Sequence, residues 1–171
     1  MKLSMVLPLL LAAGTVLSAA EPSPPVLKIR IAVPERGVTL AADEHSHFHV
    51  VIENVSDQPQ NVIDEWNSWG YYDLHFEFTT AKGERRLMEK KPRAWKGNEF
   101  SATTLKPHEV LVRDVYLDDT VWSNLPDPEQ GDAAVPMRAI FEQQPEPGQD
   151  AWRGRIESPE ILMLFRRYRA R

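Results

Sequence analysis

Hydrophobic and polar positions alternate along most of the chain with a period of two. Between Val26 and Val33, Leu27, Ile29, Ile31 and Val33 fall on one side and Lys28 and Arg30 on the other, the pattern of a strand with one face buried and one in water. Pro34 and Gly37 end it. From His45 to Asn54, Phe48, Val50 and Ile52 alternate with His45, His47 and His49. The run from Asn54 to Gln60 (NVSDQPQ) is turn chemistry. Tyr72, Leu74, Phe76 and Phe78 then form the most apolar face of the chain, and Ala81-Lys82-Gly83-Glu84 reads as a hairpin turn into Arg86–Glu89. Further short strands are expected at Phe100–Leu105, Val110–Leu117, Val135–Gln143, Trp152–Ser158 and Glu160–Phe165, separated by polar, proline-broken loops. About eight or nine strands with no amphipathic helix predict an all-β fold. Clean alternation favours an antiparallel sandwich of two sheets with wet outer faces. In that sandwich Phe48, Val50, Ile52, Leu74, Phe76 and Phe78 point inward.

The first residues break this pattern. Lys2 precedes an apolar run from Met5 to Leu17, followed by Ser18-Ala19-Ala20. That order predicts a signal peptide over residues 1–20, cut between Ala20 and Glu21. The run is too short to span a bilayer of roughly 30 Å, and no later segment reaches the roughly 18 apolar residues a spanning helix needs. The expected location is secreted or periplasmic. Residues 21–25 (EPSPP) form a stiff tether, residues 26–166 one domain, and residues 167–171 a basic tail. Arg166, Arg167, Arg169 and Arg171 give that end a charge suited to an anionic surface, or simply a frayed end.

Composition narrows the chemistry. The 171 residues are 42% hydrophobic, enough for one packed domain. The net charge of −5 speaks against nucleic-acid binding. The chain has no Cys, which removes disulfides, thiolate metal sites, a cysteine nucleophile and a lipidated N-terminal cysteine.

Three short runs resemble immunoglobulin-like β-sandwich domains of secreted bacterial proteins. Phe48-x-Val50-x-Ile52-x-Asn54-x-Ser56 is similar to their alternating strand and Asn-x-Ser turn. Leu105-x-Pro107-x-Glu109 resembles a Leu-x-Pro-Gly-Glu turn, with His108 where Gly is usual. Trp152-x-Gly154-x-Ile156-x-Ser158 resembles a closing Trp-x-Gly hairpin. The resemblance implies a fold and leaves function open.

Two groups of residues are candidates for binding. His45, His47 and His49 share the outward side of one strand, where neighbours two apart lie about 6.6 Å from each other. His47 with one neighbour makes a sound bite for zinc or copper. The outer pair, roughly 13 Å apart, cannot share one ion on a straight strand. A third donor must come from an adjacent strand, or from Asp43 or Glu44. His75 points away from this group if its strand lies in the opposite sheet. The second group is aromatic: Trp66, Trp69, Tyr71 and Tyr72, with Trp95 in a later loop. Tyr71 is expected to be exposed and Tyr72 buried. Exposed Trp and Tyr faces suit a protein or glycan partner; the same residues also suit the plug at one end of a sandwich, with Gly70 permitting a tight approach.

The loop acids Asp118, Asp119, Asp127, Glu129 and Asp132 lack calcium-loop spacing. No G-x-S-x-G and no phosphate-binding glycine loop occurs. Two facing carboxylates would be needed for a hydrolase. The leading expectation is therefore an exported, non-enzymatic binding or accessory module using Trp66, Trp69, Tyr71 and Trp95. The alternative is a periplasmic zinc- or copper-binding protein using the His45, His47, His49 stripe.

Overall fold

A computed structural model of the chain describes residues 25–33, 38–40, 47–126 and 133–167. The expected leader, His45, the acids Asp127, Glu129 and Asp132, and the tail after residue 167 lie outside them. The described residues form eleven strands and no helix: β1 (Leu27–Ala32), β2 (Val38–Leu40), β3 (His47–Asn54), β4 (Gln60–Ile63), β5 (Leu74–Thr79), β6 (Arg85–Met88), β7 (Ala102–Leu105), β8 (Val110–Tyr116), β9 (Ala133–Gln143), β10 (Gly154–Glu157) and β11 (Ile161–Arg167). No helix among them is long and apolar enough to cross a membrane.

The strands build two main sheets. The first has the order β1-β3-β8. The second runs β2-β11-β9-β5-β6, with β10 also on β9, and β4 and β7 make a separate ladder. All pairs are antiparallel except β2 with β11, where Val38 lies beside Phe165 in parallel. The expected all-β, two-sheet architecture is therefore present, with two strands more than expected. β2 has three residues and β4 four, too short for an alternation to register. The polar Gln60 and Asn61 at the start of β4 also look like a continuation of the preceding turn.

The core forms where the inward sides meet. Phe48, Val50, Ile52 and Phe76 are 0% exposed, Leu74 1% and Phe78 4%, as the alternation requires. The Phe48 and Phe76 rings meet edge-to-face with centroids 5.3 Å apart, joining β3 of one sheet to β5 of the other. Trp122 extends the contact, 5.4 Å from Phe76, and its indole N–H donates to the carbonyl of Tyr116 at 2.9 Å. Burying each such ring contributes roughly 1.5–3 kcal/mol, before the extra gain of edge-to-face geometry.

Turns fix how the strands are delivered. Asn54 is fully buried. Its amide donates to the carbonyls of Gln58 (2.8 Å) and Leu105 (2.9 Å), and its oxygen accepts from the Ser56 N–H at 3.0 Å. One side chain thus closes the Asn-x-Ser turn and anchors it to β7. Leading into β8, His108 sits at φ 65°, a left-handed conformation costly for a residue with a Cβ. The outer face of the second sheet is tied by ions: Glu77 on β5 meets Arg85 on β6 at 3.2 Å and Arg138 on β9 at 2.9 Å, and Arg138 reaches Glu157 on β10 at 2.7 Å.

Two outcomes follow. Phe76→Ala should lower unfolding free energy by about 3–5 kcal/mol in urea titration, because the ring leaves a cavity between the sheets. His108→Gly should raise it by up to about 1 kcal/mol by relieving the left-handed strain.

Candidate metal centre

The alternation that buries Phe48 and Val50 turns His47 and His49 to the outer face of the first sheet. The antiparallel register then brings in β8: His47 lies opposite Tyr116, and His49 opposite Asp114. Asp114 faces outward because its neighbours Arg113 and Val115 face in, both buried. His47, His49 and Asp114 thus converge, with one potential ligand atom from each lying within 4.8 Å of the others. His49 Nδ1 is 2.7 Å from Asp114 Oδ1. The His47 and His49 rings are edge-to-face at 5.0 Å, and the Tyr116 ring also lies 5.0 Å from His47. His47 Nδ1 is buried and has no hydrogen-bond partner among the described residues. Burying such an atom without a partner is unfavourable, and a cation accepting its lone pair would satisfy it.

Two imidazoles and a carboxylate match the donor preferences of zinc and copper(II). A carboxylate hydrogen-bonded to an imidazole also orients the ring and raises its basicity when the other nitrogen binds metal. Two of the three stripe histidines are therefore brought together, and the adjacent strand supplies the third donor. Asp114 was recognisable as a carboxylate on a strand, but its position beside His49 depends on which strand pairs with β3, which no local pattern reveals. His75 is on β5 in the second sheet, away from this group.

The aromatic residues are distributed differently. Trp66 is 63% exposed and Trp69 half-buried, its indole N–H donating to Glu146 at 3.1 Å. Tyr71 is 9% exposed and Tyr72 43%, the reverse of the expected pair. β5 begins at Leu74, and the residues from Glu65 to Asp73 form turns and bends, so its alternation does not extend back to the tyrosines. Asn67 shapes this turn: its oxygen accepts from the N–H groups of Trp69 (3.1 Å) and Gly70 (2.9 Å), and its amide donates to the Ser101 carbonyl at 3.1 Å. A Cβ on Gly70 would lie 2.2 Å from the Asp64 carbonyl oxygen, so only glycine fits.

Beneath the turn lies a buried polar node. Arg113 donates to the Ile63 carbonyl at 3.0 Å and its Nε lies 3.5 Å from Glu65. Gln143 donates to Asp73 and accepts from the Ile63 N–H at 3.2 Å. Lys90 lies 3.9 Å from Glu65 and 4.6 Å from the Tyr71 ring centre. Burial pushes the Asp73 carboxyl up to about 7, against the opposing pull of the Gln143 hydrogen bond and of Arg113 and Lys90. Burial likewise raises the Tyr71 phenol and lowers the Lys90 ammonium.

No protein-family model matches the chain, and no curated protein does.

Asp73 sets a pH dependence of stability. Its folded pKa exceeds the unfolded value of 3.8, so its contribution is fully present below about 4 and is lost as pH rises through about 7. Asp73→Asn, which keeps an acceptor for Gln143, should flatten this part of the profile. It should also gain on the order of a few kcal/mol relative to wild type at about pH 8, measured by urea unfolding across the range.

Proposed function

We propose that the protein binds a divalent transition metal, zinc or copper(II), through His47, His49 and Asp114 on the outer face of the first sheet. The observation that carries this reading is the convergence of three donors from two paired strands, one of them a histidine whose Nδ1 is buried without a partner. A chain without cysteine has no thiolate to offer a metal, so any site on it must be built from donors such as imidazole and carboxylate. Three protein donors leave at least one coordination position for water or for a ligand brought by a partner. The aromatic-loop reading loses Tyr71, which is buried, whereas the metal reading loses only His45, which lies outside the described residues.

Calorimetric titration of untagged protein with zinc and with copper(II) tests the proposal. One ion should bind per chain and raise the unfolding temperature. His47→Ala and His49→Ala should each weaken binding by more than about tenfold, Asp114→Asn should weaken it measurably, and His75→Ala should leave it unchanged. Affinity should fall on acidification from about pH 8 to about pH 5, because the ligating imidazole must be neutral. Absence of both binding heat and a thermal shift with either ion would overturn the proposal.

A further inference from the structure

The turn between β4 and β5 and the loop between β6 and β7 form one surface. Asn98 accepts from the Ser68 N–H at 2.9 Å and its amide donates to the Ser68 hydroxyl. The Arg93 N–H donates to the Tyr72 hydroxyl oxygen at 3.2 Å. Between these clamps, the Arg93 guanidinium lies 5.0 Å from the Trp95 ring centre and 5.9 Å from that of Tyr71. Tyr71 in turn supports Trp95 edge-to-face at 5.4 Å and Tyr72 at 4.9 Å. Buried Tyr71 is thus the pedestal of a platform whose outer parts are Arg93, Trp95 and Tyr72, with exposed Lys96 next in the loop and Trp66 exposed on the neighbouring turn.

Among the described residues, no carboxylate lies within salt-bridge distance of Arg93 or Lys96 and neither side chain makes a hydrogen bond; Lys28, Arg30 and Lys82 are likewise unpaired, but of these cations only Arg93 lies over aromatic rings. A guanidinium held over aromatic rings with its donors unpaired is preorganised for a planar anion, because its position is fixed before the ligand arrives. The flat, half-open rings beside it suit the apolar face of a sugar. We infer that this surface binds a carboxylated polysaccharide, with Arg93 and Lys96 taking the carboxylates and Trp95 and Tyr72 stacking on the sugar rings. Trp95 is half-buried, with the Tyr71 ring and the Arg93 guanidinium 5.4 and 5.0 Å from its ring centre, so its indole is held beside the cation. An acidic peptide would meet the cations yet leave the rings without a matching partner.

The test is native gel electrophoresis of the full chain in gels containing polygalacturonate, neutral dextran or poly-glutamate, with chelator present so that the metal reading plays no part. Polygalacturonate should retard the protein and dextran should not. Arg93→Ala and Trp95→Ala should each weaken the apparent affinity by about tenfold or more, while Arg30→Ala, which removes an exposed cation on β1, should leave it unchanged. Arg93 is exposed, so its variant should unfold at the wild-type temperature and serve as the folded control for the Trp95 change. Absence of retardation, equal retardation by poly-glutamate, or an Arg93→Ala variant that binds like wild type would each overturn the inference.

Discussion

The edge-to-face contact of Phe48 with Phe76 joins the two sheets, and the placement of most other side chains follows from it. A strand has only two faces, so a ring that packs inward at position 48 sends its neighbours at 47 and 49 to the opposite side. Slipping β3 by one residue would put two imidazoles into the core and three apolar side chains into water, a cost no surface interaction here could offset. The outward pair of histidines is thus held in place by hydrophobic burial on the far side of the same strand. The register with β8, set by the same ladder, then decides that Asp114 and not another residue stands beside them.

β8 departs from simple amphipathicity. Val110 and Val112 are exposed, whereas Arg113 is buried. The reversal makes sense once the node under the Tyr71 turn is considered. Arg113 holds the Ile63 carbonyl and faces Glu65, while its Nη1 is buried without a hydrogen-bond partner among the described residues, and Gln143 links the Ile63 N–H to Asp73. A charge buried this far from water depends on the partners it keeps, here the Ile63 carbonyl and the Glu65 carboxylate. Its neighbour Asp114 points the other way. One short strand therefore presents a cation to the interior and a carboxylate to the outer face, and so connects the support of the aromatic turn to the metal-binding candidate.

The six core residues, the turn at Asn54 and the outward facing of His47 and His49 were legible because each depends on a repeat of two residues or on the local chemistry of one side chain. The unusual backbone at His108 was also signalled, since a bulky residue occupied a glycine-like turn position. Asp114 as a partner of His49 was not legible, because strand pairing is a long-range property. The inversion of Tyr71 and Tyr72 escaped for a related reason. Asn67 winds the preceding residues into a turn that Asn98 and Ser101 hold from another loop, and the alternation of β5 has no authority there. Trp66, Tyr71 and Trp95 were singled out as aromatics for a glycan or protein, but Arg93 and Lys96 escaped, since their place beside those rings needs two loops that meet only in three dimensions.

His49 and Asp114 touch although 65 positions of chain separate them. A link at that point ties together two strands that are distant in sequence, and because it forms only in the folded chain it stabilises that state by its own binding free energy. An ion coordinated from both strands would make the link much tighter than a lone hydrogen bond does. Occupancy and mechanical integrity would then be one property: the strand pair could not peel apart without releasing its cargo, and depletion of that cargo would loosen the sheet as a whole.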